Sequence, residues 1–75
     1  MRYRVIAKSL MDRRRLLAMD DDGNYYLVSL NGVKPTQAPI DQREARRLQF
    51  DRNWIPAVDH APRTMRDLSD AATYQ

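Results

Sequence analysis

Cysteine is absent from the 75-residue chain. No disulfide can staple the fold, and no thiolate can serve as a nucleophile or soft metal ligand. A reducing compartment fits this composition, so a cytoplasmic location is expected. Glycine is nearly as scarce, with only Gly23 and Gly32. No glycine-rich loop exists to cradle a phosphate, which excludes nucleotide binding through such a motif. Nor does any apolar run approach the roughly 20 residues that cross a bilayer. The opening Met1-Arg2-Tyr3-Arg4 leads into a short apolar stretch broken by Lys8, too short for a secretory signal. A soluble chain with no membrane partner is expected.

Catalytic equipment is equally thin. His60 is the single imidazole, and Ser9, Ser29, Thr36, Ser69 and Thr73 have no histidine close in sequence to activate them. The expectation is a protein that is not an enzyme, with no catalytic residues and no cofactor. Asp20, Asp22 and Asn24 are spaced like the opening ligands of a calcium loop. Such a loop also needs glycine at its sixth position and glutamate at its twelfth, where this chain has Tyr25 and Asn31. A turn crowded with acids explains the cluster better, and no metal site is expected.

Positive charge is what the sequence does supply. Thirteen basic residues face ten acidic ones for a net charge of +3, and eleven of the thirteen are arginine. Residues 1–19 hold six of the basic groups against one acid, Asp12, whereas residues 20–40 are net negative. The planar guanidinium fork suits phosphates and carboxylates, although codon usage in a GC-rich genome accounts for an arginine excess equally simply.

Residues 2–8 alternate with period two, with Tyr3, Val5 and Ala7 on one side and Arg2, Arg4, Ile6 and Lys8 on the other, which reads as a strand. Residues 14–19 read as the first arm of a hairpin. A helix there, its start capped by Ser9 followed by Asp12, is the alternative. Asp20 to Asn24 is turn chemistry, Tyr25 to Leu30 is a second arm, and Asn31-Gly32 closes it. The stretch from Lys34 to Pro39, with two prolines, reads as an extended loop. Ile40 to Phe50 is the best helix, with Asp41 as its cap and Glu44 placed to reach back. Trp54-Ile55-Pro56 is expected to fold back and complete the core. Beyond it Thr64 and Asp67 have cap spacing, and Met65, Leu68 and Ala72 would share one face of a short helix, too weak alone to hold in water.

The expected fold is therefore α+β: a three-stranded antiparallel β-meander with one packed helix over residues 1–56, then a flexible or weakly helical C-terminal tail over residues 57–75. If the helix and Trp54 cover Tyr3, Val5, Tyr26 and Val28, the opposite sheet face shows Arg2, Arg4, Ile6, Lys8, Tyr25 and Leu27, extended by Arg13, Arg14 and Arg15. An apolar centre rimmed by charge suits a protein partner or self-association, as in a small interaction or regulatory module. Cations interleaved with an aromatic ring also suit single-stranded nucleic acid, the alternative partner.

Overall fold

The computed structural model describes residues 2–32, 34–58 and 60–68. Along the chain the elements are β1 (Tyr3–Ser9), β2 (Arg15–Asp20), β3 (Tyr25–Ser29), β4 (Thr36–Ile40), α1 (Gln42–Gln49) and β5 (Trp54–Pro56). The strands form one antiparallel sheet in the order β4-β3-β2-β1-β5. The three-stranded meander expected from the sequence is thus incorrect: the sheet has five strands. Residues 15–20 are a strand, so the hairpin reading holds over the helical one.

The β2–β3 hairpin closes as its residues dictate. Gly23 takes φ +86°, a conformation glycine adopts without steric cost. Asp20 accepts from the amides of Asp22 and Asn24 through Oδ1, at 2.9 Å each. On the other side, the N-cap side chain of Asp41 accepts from the Glu44 amide at 2.8 Å and starts α1. Glu44 then turns forward, its carboxylate 3.3 Å from the Arg47 guanidinium.

Two strands were unexpected because proline marks them. Pro39 lies inside β4 and Pro56 ends β5, and proline cannot donate to a ladder. The register shows why both are tolerated. The Asp20 amide donates to the Asn24 carbonyl and the Leu30 amide to the Arg14 carbonyl, so Tyr26 and Val28 turn their backbone groups toward β2. The intervening residues Tyr25, Leu27 and Ser29 face β4, opposite Ile40, Ala38 and Thr36. The nitrogens of Gln37 and Pro39 therefore point out of the sheet. By the same parity, the Ala57–Ile6 and Leu10–Asn53 hydrogen bonds turn the nitrogen of Pro56 outward from β5. Each proline sits on an edge strand where its missing N–H deprives no neighbour.

A bulge in β1 decides which residues share a side. Val5 pairs with Ala18 but Ala7 pairs with Leu17, so Ile6 is the extra residue. Strict alternation would keep Val5 and Ala7 together; the bulge sends them to opposite sides. Tyr3, Val5, Leu16, Ala18, Val28 and Leu30 form one apolar layer, and Ala7 and Leu17 join Ala45 of α1 in the other. Ile6, Tyr25, Ile40, Leu48 and Trp54 pack with the α1 layer. The helix and Trp54 thus cover the side opposite to the one expected. The connection itself calls for a helix across the sheet. The chain leaves β4 at one edge and must reach β5 at the other, about 19 Å across four strand spacings. The eight-residue α1 covers about 12 Å of that distance, and its apolar residues Ala45 and Leu48 meet the sheet on the way.

The Tyr3–Val5 layer is covered instead by residues after β5. Ala57, Met65 and Leu68 pack against it, and Tyr3 and Arg63 exchange backbone hydrogen bonds of 2.7 and 2.8 Å. Thr64 and Asp67 cap the short helical turn at residues 65–68 reciprocally, each amide donating to the other's side chain at 3.1 Å, as the cap spacing led one to expect. Ala72, the last member of the expected stripe, lies outside the described residues.

Candidate interaction surface

The structure spreads the predicted surface residues over several regions. Arg2 and Arg4 are exposed near the start of β1, Arg4 opposite Met19. Ile6 and Tyr25 are half-buried beneath α1. Lys8 is exposed between Leu16 and Ile55. Arg13 and Arg14 occupy the β1–β2 turn, and Arg15 begins β2. Leu27 is half-buried on β3 beyond the cover of the helix. Arg4 and Lys8 stand about 13 Å apart along the strand. The geometry therefore brings Arg13, Arg14 and Arg15 together, with Lys8 near them, and separates these from Arg2 and Arg4.

The β1–β2 end of the sheet is the more coherent surface. Ser9 Oγ accepts from the Asp12 amide at 3.1 Å, and Asp12 Oδ1 accepts from the Arg14 amide at 3.0 Å. Asp12 Oδ2 accepts from Asn31 Nδ2 at 3.2 Å, tying this turn to the end of β3. The Leu10 amide donates to the Asn53 carbonyl at 2.7 Å, which brings the α1–β5 turn alongside. In that turn Asp51 Oδ1 accepts from the Asn53 amide at 2.8 Å. Both acids at this end are thus occupied in holding turns. Among the described residues, the exposed cations Lys8, Arg13, Arg14, Arg15 and Arg52 have no ion-pair partner.

Large apolar side chains are exposed at the same end. Leu10 is 54 % exposed, Met11 80 % and Phe50 84 %. Leu10 and Met11 stand in the β1–β2 connection, and Phe50 is the C-cap of α1, where the helix ends and releases the ring from the core. Ile55, 44 % exposed, faces outward on β5 nearby. Sequence reasoning missed Leu10, Met11, Phe50 and Arg52. For Leu10 and Met11 the signal was an apolar residue inside a connection, where nothing calls for burial; for Phe50 it was an apolar residue at a helix end.

At the opposite end, Asp20 organises the β2–β3 turn. It is 4 % exposed and its Oδ2 accepts from the Tyr26 hydroxyl at 2.9 Å and from Asn24 Nδ2 at 3.3 Å. The Asn24 amide, first of its donors, holds the carboxyl below its ordinary value against the opposing effect of burial. Donating its hydroxyl to the Asp20 carboxylate pushes the Tyr26 phenol up, with burial adding to it. Both carboxylate oxygens are committed inside the turn, so this acid cluster is a structural knot. No group of three potential metal ligands occurs among the described residues. His60 is exposed, with Nε2 2.9 Å from the Ala57 carbonyl.

No helix among the described residues is long and apolar enough to cross a membrane. The described residues thus form an α+β protein: a five-stranded antiparallel sheet with α1 on one side and the return of the chain through residues 57–58 and 60–68 on the other. Comparison with protein-family models, curated proteins and solved structures finds no match.

Proposed function

We propose that this protein is a small interaction module that docks onto an acidic protein partner through its β1–β2 end. The observation that carries this reading is the exposure of Leu10, Met11 and Phe50 beside cations that have no ion-pair partner among the described residues. Methionine, aromatic and arginine residues are the types enriched at protein interfaces. An apolar centre supplies the burial, and the basic rim selects and steers a negatively charged partner. A cytoplasmic setting agrees with the cysteine-free composition.

The test compares the parent protein with the Met11→Asp/Phe50→Asp variant. Both side chains are exposed, so the variant should keep the parent's circular dichroism and melting behaviour. A partner retained by the parent in lysate should be lost by the variant and released by salt. Identical capture by both proteins would overturn the proposal. The rival partner is single-stranded nucleic acid, supported by Arg13 to Arg15 and the exposed Phe50 ring lying at the same end of the sheet. Binding of labelled oligonucleotide with a steep salt slope, lost on charge removal at Arg13 and Arg14, would establish that reading in place of the protein partner.

A further inference from the structure

Arg15, Ser29 and Thr36 are register neighbours on β2, β3 and β4, and so form a row on one side of the sheet. The next row on that side carries Leu27 opposite Ala38. α1 packs on this same side but over Ala7, Leu17, Tyr25 and Ile40, leaving this corner open. Small side chains at 29, 36 and 38 leave a shallow recess of about 170 Å³, with Leu27 and Ala38 in its floor and Arg15 at its margin.

Among the described residues the recess has donors and no acid. Neither the Arg15 guanidinium nor the Thr36 hydroxyl has a hydrogen-bond or ion-pair partner among the described residues. Ser29 Oγ accepts from the Asn31 amide at 3.4 Å and keeps its own hydrogen free to donate. Donors on three strands beside an apolar floor suit an oxyanion carried on an apolar stem. The volume falls below the roughly 300 Å³ at which small-molecule pockets begin, so the recess holds one residue and not a cofactor.

We infer that this recess takes a single carboxylate-bearing residue of a protein partner, with the carboxylate at Arg15, Ser29 and Thr36 and the apolar stem on Leu27 and Ala38. This rests on the reading of the molecule as a docking module, and it names one anchor that the acidic partner contributes. The carboxylate comes from either an acidic side chain or the C-terminal residue of the partner.

Nuclear magnetic resonance titration of the full-length protein separates these sources and needs no partner. N-acetylleucine presents a terminal carboxylate with an apolar side chain, and N-acetylglutamic acid α-amide presents a side-chain carboxylate. Amide shifts at residues 27–29 and 36–38 with a millimolar Kd are expected for at least one, and the tighter ligand identifies the source. Arg15→Gln should weaken that binding about tenfold, the loss of one charge-assisted contact, and Ala38→Leu should abolish it by filling the floor. N-acetylleucinamide should leave these amides unshifted. Equal shifts with that amide, equal shifts with inorganic phosphate, or no shifts with either carboxylate would overturn the inference. Because the Met11→Asp/Phe50→Asp substitutions lie outside the recess, failure of the docking experiment and failure of this titration are distinguishable.

Discussion

A single carboxylate shows how one residue can hold a turn and set a pH limit. Asp20 is nearly inaccessible, yet it lies in a net-negative stretch beside Asp21 and Asp22. It stays ionised because two amides, one side-chain amide and one phenol all donate to it. Its folded value is lowered, so the unfolded chain takes up its proton first as pH falls. Its stabilising effect is therefore present above the ordinary carboxylate range near pH 4 and is lost as pH falls through the depressed value. Tyr26 works in the opposite direction. Its value is raised, so its contribution is complete below about pH 10 and is lost above it. Asp20→Asn should lower the melting temperature at pH 7 and flatten the acid limb of the stability–pH curve. Thermal melts from pH 2 to 7 would show this, and an unchanged acid limb would refute the assignment.

Within elements, the sheet is closed at both edges by proline. An open edge strand offers free backbone groups to another chain. On β4 the outward nitrogens within the strand belong to Gln37 and Pro39, and Pro35 stands just before it. On β5 the terminal outward nitrogen is that of Pro56. Neither edge presents a continuous ladder of donors, which directs association toward side-chain surfaces such as the β1–β2 end. Pro39→Val adds an outward donor and a residue that favours strands. The variant should keep its fold and self-associate at concentrations where the parent does not. Sedimentation velocity over a concentration series would detect the shift, and superimposable profiles would argue against edge protection.

For the molecule as a whole, a sheet with an apolar layer on each side needs two covers. Buried side chains are few, and Leu17 and Val28 are the largest that are almost fully enclosed. A domain of this length has little stability to lose. α1 supplies one cover, and the segment reaching Leu68 supplies the other. Leu68 is 3 % exposed and 65 residues away from Tyr3 in sequence, yet both belong to one cluster. Leu68→Asp would place an uncompensated carboxylate in that cluster. It should destabilise the protein by several kcal/mol, on the scale of removing a large core side chain. Chemical denaturation would measure this, and a loss under about 0.5 kcal/mol, the usual range for a surface substitution, would show that the cover is dispensable.

Local chemistry was legible from the residues alone. The strand character of β1, the Asp20–Asn24 turn, the second hairpin arm and the Asp41 cap follow from preferences that act within a few residues. The Thr64–Asp67 pair is local in the same way, and it forms as its spacing anticipates. The two proline-bearing strands were not legible, since Pro39 and Pro56 forbid a central strand but not an edge, and edge position is a property of the assembled sheet. Nor was the bulge at Ile6, which depends on pairing with β2 and moves Ala7 from one side to the other. Nor were the sides taken by α1 and by the C-terminal return, which decided the fate of the predicted surface. Ile6 and Tyr25 went under the helix, while Leu10, Met11 and Phe50 came together from two connections distant in sequence. Hydrophobic periodicity reports that a residue faces a side; which side is covered is settled by long-range pairing that no local pattern encodes.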